Sequence, residues 1–175
     1  MLKAPFFIDL DTVKSVGFNN KNVENSLLAT VLRRVQDVVL KPVIGRKLYK
    51  RLCEGIRNTA ANVPGGLNAN ETILLQDYIS HFLIASIDVR SVNALRLELR
   101  SKTSGKSHDE YIEPLTESES LMMSDDLRRD REVYRDDLID YLKKNSDLYP
   151  EYENPDCGIN GRPDRGAPKT NIRFR

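Results

Sequence analysis

Val23, Leu27, Leu28, Val31, Leu32, Val35 and Val38 recur at spacings of three and four, the period of one helix face. They predict a helix from about Val23 to Val39, with Asn20 or Asn22 as its cap. A short turn, TVKSVG, capped by Asp11 and closed by Gly17, is expected before it. LKPVIG is expected to break the chain at Pro42 and Gly45. Leu48, Leu52 and Ile56 then form the stripe of a shorter, basic helix from about Arg46 to Ile56, with Gly55 near its end. NTAANVPGGLNA reads as a loop.

The longest pattern runs from about Glu71 to Leu99, with Asn70 as cap. Leu74, Tyr78, Phe82, Ala85, Val89, Val92 and Leu99 lie near one face. At 1.5 Å per residue such a helix spans roughly 45 Å, which suits the spine of a bundle. RSKTSGKSHDEYIEP reads as a polar loop, with room for a short extended pair. A last helix opens at TESE, where Thr116 and Glu119 fit a capping box. It runs to about Lys144, with Met123, Leu127, Tyr134, Leu138 and Tyr141 facing inward and Asn145 closing it. Asp125 with Arg129 and Asp140 with Lys144 fall four apart, each pair worth a few tenths of a kcal/mol. The expected fold is all-α: a compact bundle of about four to five helices with an extended C-terminal arm.

That arm is NPDCGINGRPDRGAPKTNIRFR. It holds three prolines and three glycines, with five basic residues against two acidic ones. Pro and Gly at this density interrupt helix and ladder alike, so the segment is expected to be either a disordered end or an arm that gains order by contact with something else. The chain divides into a helical body, residues 1–153, and a tail, residues 154–175. About 150 residues suit one domain with one real core.

Composition adds direction. Of the 175 residues, 39% are hydrophobic and 30% charged, and the net charge is +1, so no global field drives the protein to nucleic acid or membrane. The charge is nonetheless segregated: net +6 over residues 1–58, −3 over 59–117, −5 over 118–153 and +3 in the tail. Basic ends flank an acidic second half, which permits head-to-tail contact between copies. Cys53 and Cys157 make no disulfide framework and suit a reducing compartment. MLKAPFFIDLD is too short and too acidic for a signal peptide, and no run approaches a membrane span.

Candidate chemistry is sparse. His81 falls within the long helix and reads as a structural histidine. His108 beside Asp109 and Glu110 lacks the spacing of a closed metal site. No phosphate-binding glycine loop or nucleophile elbow is present, and the carboxylates of the last helix alternate with arginines. No catalytic residue, metal or cofactor is expected.

VQDVVLKPVIGRKLYKRL before a long helix, and later YRDDLIDYLKKNSDLYPEY, resemble the head–tail connector (adaptor) proteins of tailed bacteriophages. The likeness is greatest to those of crAss-like and related phages of gut bacteria. The resemblance covers about Asn20 to Tyr152 and is a pattern of helices and turns. It implies a structural virion protein of the neck, made in the host cytoplasm and assembled as a ring, a dodecamer in that family. The ring docks on the portal protein, meets other neck or tail proteins, and continues the DNA channel with transient, non-specific contact to packaged DNA. It involves no membrane.

The resemblance makes the tail a partner-binding arm. About twenty extended residues reach roughly 65 Å, enough to cross a subunit boundary. TNIRFR alternates Ile172 and Phe174 with Arg173 and Arg175, a pattern suited to adding onto a partner's sheet edge. Ile172 and Phe174 are the expected anchors. Arg162, Arg165, Lys169, Arg173 and Arg175 steer and fix register. Arg100, Lys102 and Lys106, in the polar loop, are expected to face the channel or a neighbouring subunit. The rival readings are a helical nucleic-acid-binding module whose basic tail tracks phosphates and, third, a small helical enzyme.

Overall fold

The computed structural model describes residues 4–17, 24–103 and 117–152, and all regular structure in them is helical. Five helices make the body. α1 is Leu10–Val16. α2 covers 25–44, as an α-helix Asn25–Val35, a π turn Gln36–Leu40 and a last α turn Lys41–Ile44. α3 is Arg46–Ala60. α4 covers 69–103, as Ala69–Ile73, a π turn Leu74–Ile79 and Ser80–Thr103. α5 is Glu117–Lys144, and a 3-10 turn, Ser146–Leu148, follows it. The tail, the linker of residues 104–116 and the expected caps Asn20, Asn22 and Thr116 lie outside the described residues.

α2 does not break at Pro42. The widened π turn just before it, in which the Lys41 amide donates to the Gln36 carbonyl five residues back, removes the clash a proline ring makes with a regular preceding turn. The helix stops instead at Gly45, whose φ of 81° suits glycine alone. The π turn also inserts one residue into the apolar stripe. Leu28, Leu32 and Val35 are buried before it and Leu40, Val43 and Ile44 after it, while Val38, expected to face inward, is 57% exposed.

The same turn aims Gln36 inward. Its side-chain nitrogen donates to the Pro5 carbonyl at 3.0 Å, and its oxygen accepts from the Phe7 amide at 3.3 Å. The segment before α1 is thus tied to α2, and α1 begins at Leu10, after Asp9, rather than at an Asp11 cap.

α3 extends past Ile56 to Ala60. Gly55 lies inside it and is buried because Leu67 lies over it: a Cβ there would sit 2.7 Å from Leu67 Cδ2. α4 is capped by Asn68, two residues before the expected Asn70. The Asn68 side chain accepts from the Glu71 amide at 2.7 Å, and Glu71 accepts from the Asn68 amide at 2.9 Å, a reciprocal capping box.

Glu71 is almost fully buried, and Arg51 of α3 meets it with Nε at 2.8 Å and a terminal nitrogen at 2.9 Å. Arg51 also donates to the carbonyls of Gly65 and Gly66. One guanidinium therefore holds the PGG loop and the start of α4 against α3.

α4 is the spine, as expected. It packs against both α2 and α5, which meet each other mainly at the Lys41–Ile44 turn. From Phe82 to Val89 every side chain is buried, the mark of a helix surrounded by neighbours. Each fully buried Leu or Ile contributes roughly 1.5–3 kcal/mol. Leu138, Ile139 and Leu142 of α5 complete the core, with Tyr149 beyond them.

Candidate interaction surface

The residues that the sequence puts forward for partner binding fall mostly beyond the described part. Arg162, Arg165, Lys169, Ile172, Arg173, Phe174 and Arg175 lie outside it, as does Lys106. Arg100 and Lys102 belong to the last turns of α4, which continues to Thr103; the backbone there is helix, not the expected loop.

The described surface carries two chemically different regions, one on α2 and α3 and one between α4 and α5. On α2 and α3, Arg34, Arg46 and Lys50 are exposed and Arg33 is half-buried. Arg33 donates to the Ala4 carbonyl at 2.9 Å and lies 4.8 Å from the centre of the Phe6 ring, a cation–π contact. A shallow hollow of about 420 Å³ opens there, lined by Phe6, Ala29, Thr30, Arg33, Arg34 and Asp37.

Between them, α4 and α5 form a groove of about 400 Å³ lined by Asp77, Tyr78, His81, Tyr134, Asp137, Asp140, Tyr141 and Lys144. Helical spacing builds it: Asp77 and His81 are four apart on α4, while Tyr134, Asp137, Tyr141 and Lys144 rise along one face of α5 at steps of three and four. The Tyr78 and Tyr141 rings stack at 3.9 Å across the two helices. His81 stacks on Tyr134 at 5.7 Å, and its Nδ1 lies 2.6 Å from the Asp77 main-chain oxygen. His81 is exposed at the groove and is held by this stacking and this contact.

The charges of the groove stand apart from those further up α5. Arg128 pairs with Asp125 at 2.9 Å and Arg129 with Asp126 at 3.3 Å, three residues apart rather than the expected four. Arg135 bridges Glu132 and Asp136 at 3.7 and 3.3 Å. Asp140 and Lys144, expected to pair, both face the groove instead.

Three carboxylates and three phenol rings make a surface for cationic, planar groups, which gain both charge attraction and stacking. Among the described residues no three His, Cys, Asp or Glu side chains are placed to hold a metal ion, and no helix is long and apolar enough to cross a membrane. The alternation of carboxylates with arginines along α5 does not by itself show this groove. The signal that could have found it is that Asp137 and Asp140 share the side of α5 that carries Tyr134 and Tyr141.

At the groove's lower edge the Tyr141 hydroxyl lies 3.1 Å from that of Tyr149. Burial first, and then this hydrogen bond, push the Tyr149 hydroxyl well above its ordinary pKa. On α3, burial likewise raises the Cys53 thiol.

No curated protein and no solved structure matches the chain. Residues 40–162, more than half of the sequence and inclusive of the groove, match the model of a family of unknown function (DUF6712), and the chain belongs to that family.

Proposed function

We propose that the protein is a structural virion subunit that forms a ring in the head–tail connector of a tailed bacteriophage, docks on the portal protein and continues the DNA channel. The resemblance over residues 20–152 supplies the class. The observation that carries the reading further is the charge segregation: exposed cations on α2 and α3 and an excess of carboxylates on α5. A ring needs a heterologous contact, one face of a subunit against a different face of the next. Opposite charge on the two faces steers that encounter and disfavours the face-to-face alternative.

Charge reversal tests this. Arg34→Glu with Arg46→Glu on one face, or Asp125→Lys with Asp126→Lys on the other, should each abolish ring formation on the portal. Combining the two pairs should restore part of it. Rings that survive either reversal contradict the assignment of these faces. A tight, steeply salt-dependent affinity for duplex DNA without ring formation would instead favour the nucleic-acid-binding module.

A further inference from the structure

We infer that the groove between α4 and α5 is the seat of this chain's own tail tip, residues 169–175, folded back onto the same subunit. The inference rests on reading the tail as an arm that gains order by contact. It does not depend on the ring.

Charge is the first reason. Asp125, Asp126, Glu132 and Asp136 are each met by an arginine of their own helix. Asp130, outside the groove, has no such partner among the described residues, and neither have the carboxylates of the groove. Asp77, Asp137 and Asp140 line it with Lys144 as the single cation, and among the described residues none of the three carboxylates is in an ion pair. Lys169, Arg173 and Arg175 would supply the missing positive charge.

Shape is the second reason. Guanidinium groups stack on tyrosine faces and fork onto carboxylates, and Tyr134 presents an exposed ring for Phe174. Alternation places Arg173 and Arg175 on one side of the segment and Phe174 on the other, so one extended strand can serve both kinds of contact.

Reach is the third. The described chain stops at Tyr152, three residues after Tyr149, whose hydroxyl touches Tyr141 at the edge of the groove. A chain of 23 residues has a reach of roughly 25 Å on average at coil dimensions. Tethering supplies a local concentration on the order of millimolar, which outcompetes another copy at micromolar concentration.

The chain has no tryptophan, so Phe174→Trp in the full-length protein gives a single reporter at the tail tip. In monomeric protein its emission should be blue-shifted and shielded from acrylamide, and unchanged by dilution. Asp137→Asn with Asp140→Asn should return it to that of a solvated tryptophan, with the helical circular-dichroism signal unchanged. Arg173→Gln with Arg175→Gln, which leaves the bundle untouched, should do the same. Solvated emission in the parent, or a blue shift that survives both pairs, overturns the inference. So does a blue shift that disappears on dilution, since the occupant would then be a second copy.

Discussion

The Tyr149 hydroxyl donates to the main-chain carbonyl of Asn70 at 2.8 Å, across 79 positions of sequence. This bond ties the end of the bundle to the first turn of α4, one side of the groove to the other. The Asn70 carbonyl also accepts from the Leu74 amide, so it is not orphaned when the hydroxyl is removed. Tyr149→Phe should therefore cost only about 1 kcal/mol, whereas Tyr149→Ala should cost about 3–5 kcal/mol through the cavity it leaves. Urea denaturation of the two variants checks the difference.

Arg51 and Glu71 should behave as one unit. Glu71→Ala leaves a guanidinium facing the vacated site and removes half of the capping box, and Arg51→Ala leaves a buried carboxylate without its cation. Each should cost about 3–5 kcal/mol. The double variant should cost clearly less than the sum, a coupling that a double-mutant cycle reads directly.

Gly45 joins α2 to α3 at a φ of 81°, with an extended ψ of 159°, a region essentially restricted to glycine. Gly45→Ala should destabilise the bundle by about 1–3 kcal/mol. Pro42→Ala, by contrast, should be nearly neutral, because the π turn already accommodates the ring. Thermal melts of the pair separate a break at Gly45 from a break at Pro42.

Burial raises the hydroxyls of Tyr49 and Tyr149 well above their ordinary pKa. Hydrogen bonds, to Asp37 for Tyr49 and to Tyr141 for Tyr149, add to it. An unfolded tyrosine ionises near about pH 10. Above that pH the unfolded chain has lost protons that the folded chain retains, so the unfolded state is favoured. The contribution of these two hydroxyls should be level below about pH 10 and fall as pH rises beyond it. Tyr149→Phe should flatten that fall when denaturation midpoints are compared on either side of pH 10.

The helices were legible because their apolar positions repeat with the right period, and the burial of Leu28, Leu32, Leu48, Leu52 and Phe82 follows that pattern. The phase of α2 beyond Val35 was not. A π turn inserts one residue with no sequence mark of its own, which exposes Val38 and buries Leu40. Pro42 then misleads, since its usual clash is relieved by that same turn. The cap of α4 was half legible. Asn68 and Glu71 stand at capping-box spacing, but Asn70 lies two residues closer to the apolar run. The groove depends on residues of α4 and α5 more than 50 positions apart in sequence, and no local pattern reveals which sides of the two helices face each other.

The proposed ring is most directly tested by the native mass of the complex formed when the full-length protein is mixed with the portal protein of the phage that this reading assigns it to. The account predicts a closed assembly with a single subunit stoichiometry, twelve copies on a twelvefold portal, dissolved by charge reversal on either face. A protein that remains monomeric beside intact portal rings, at all salt concentrations, would contradict it.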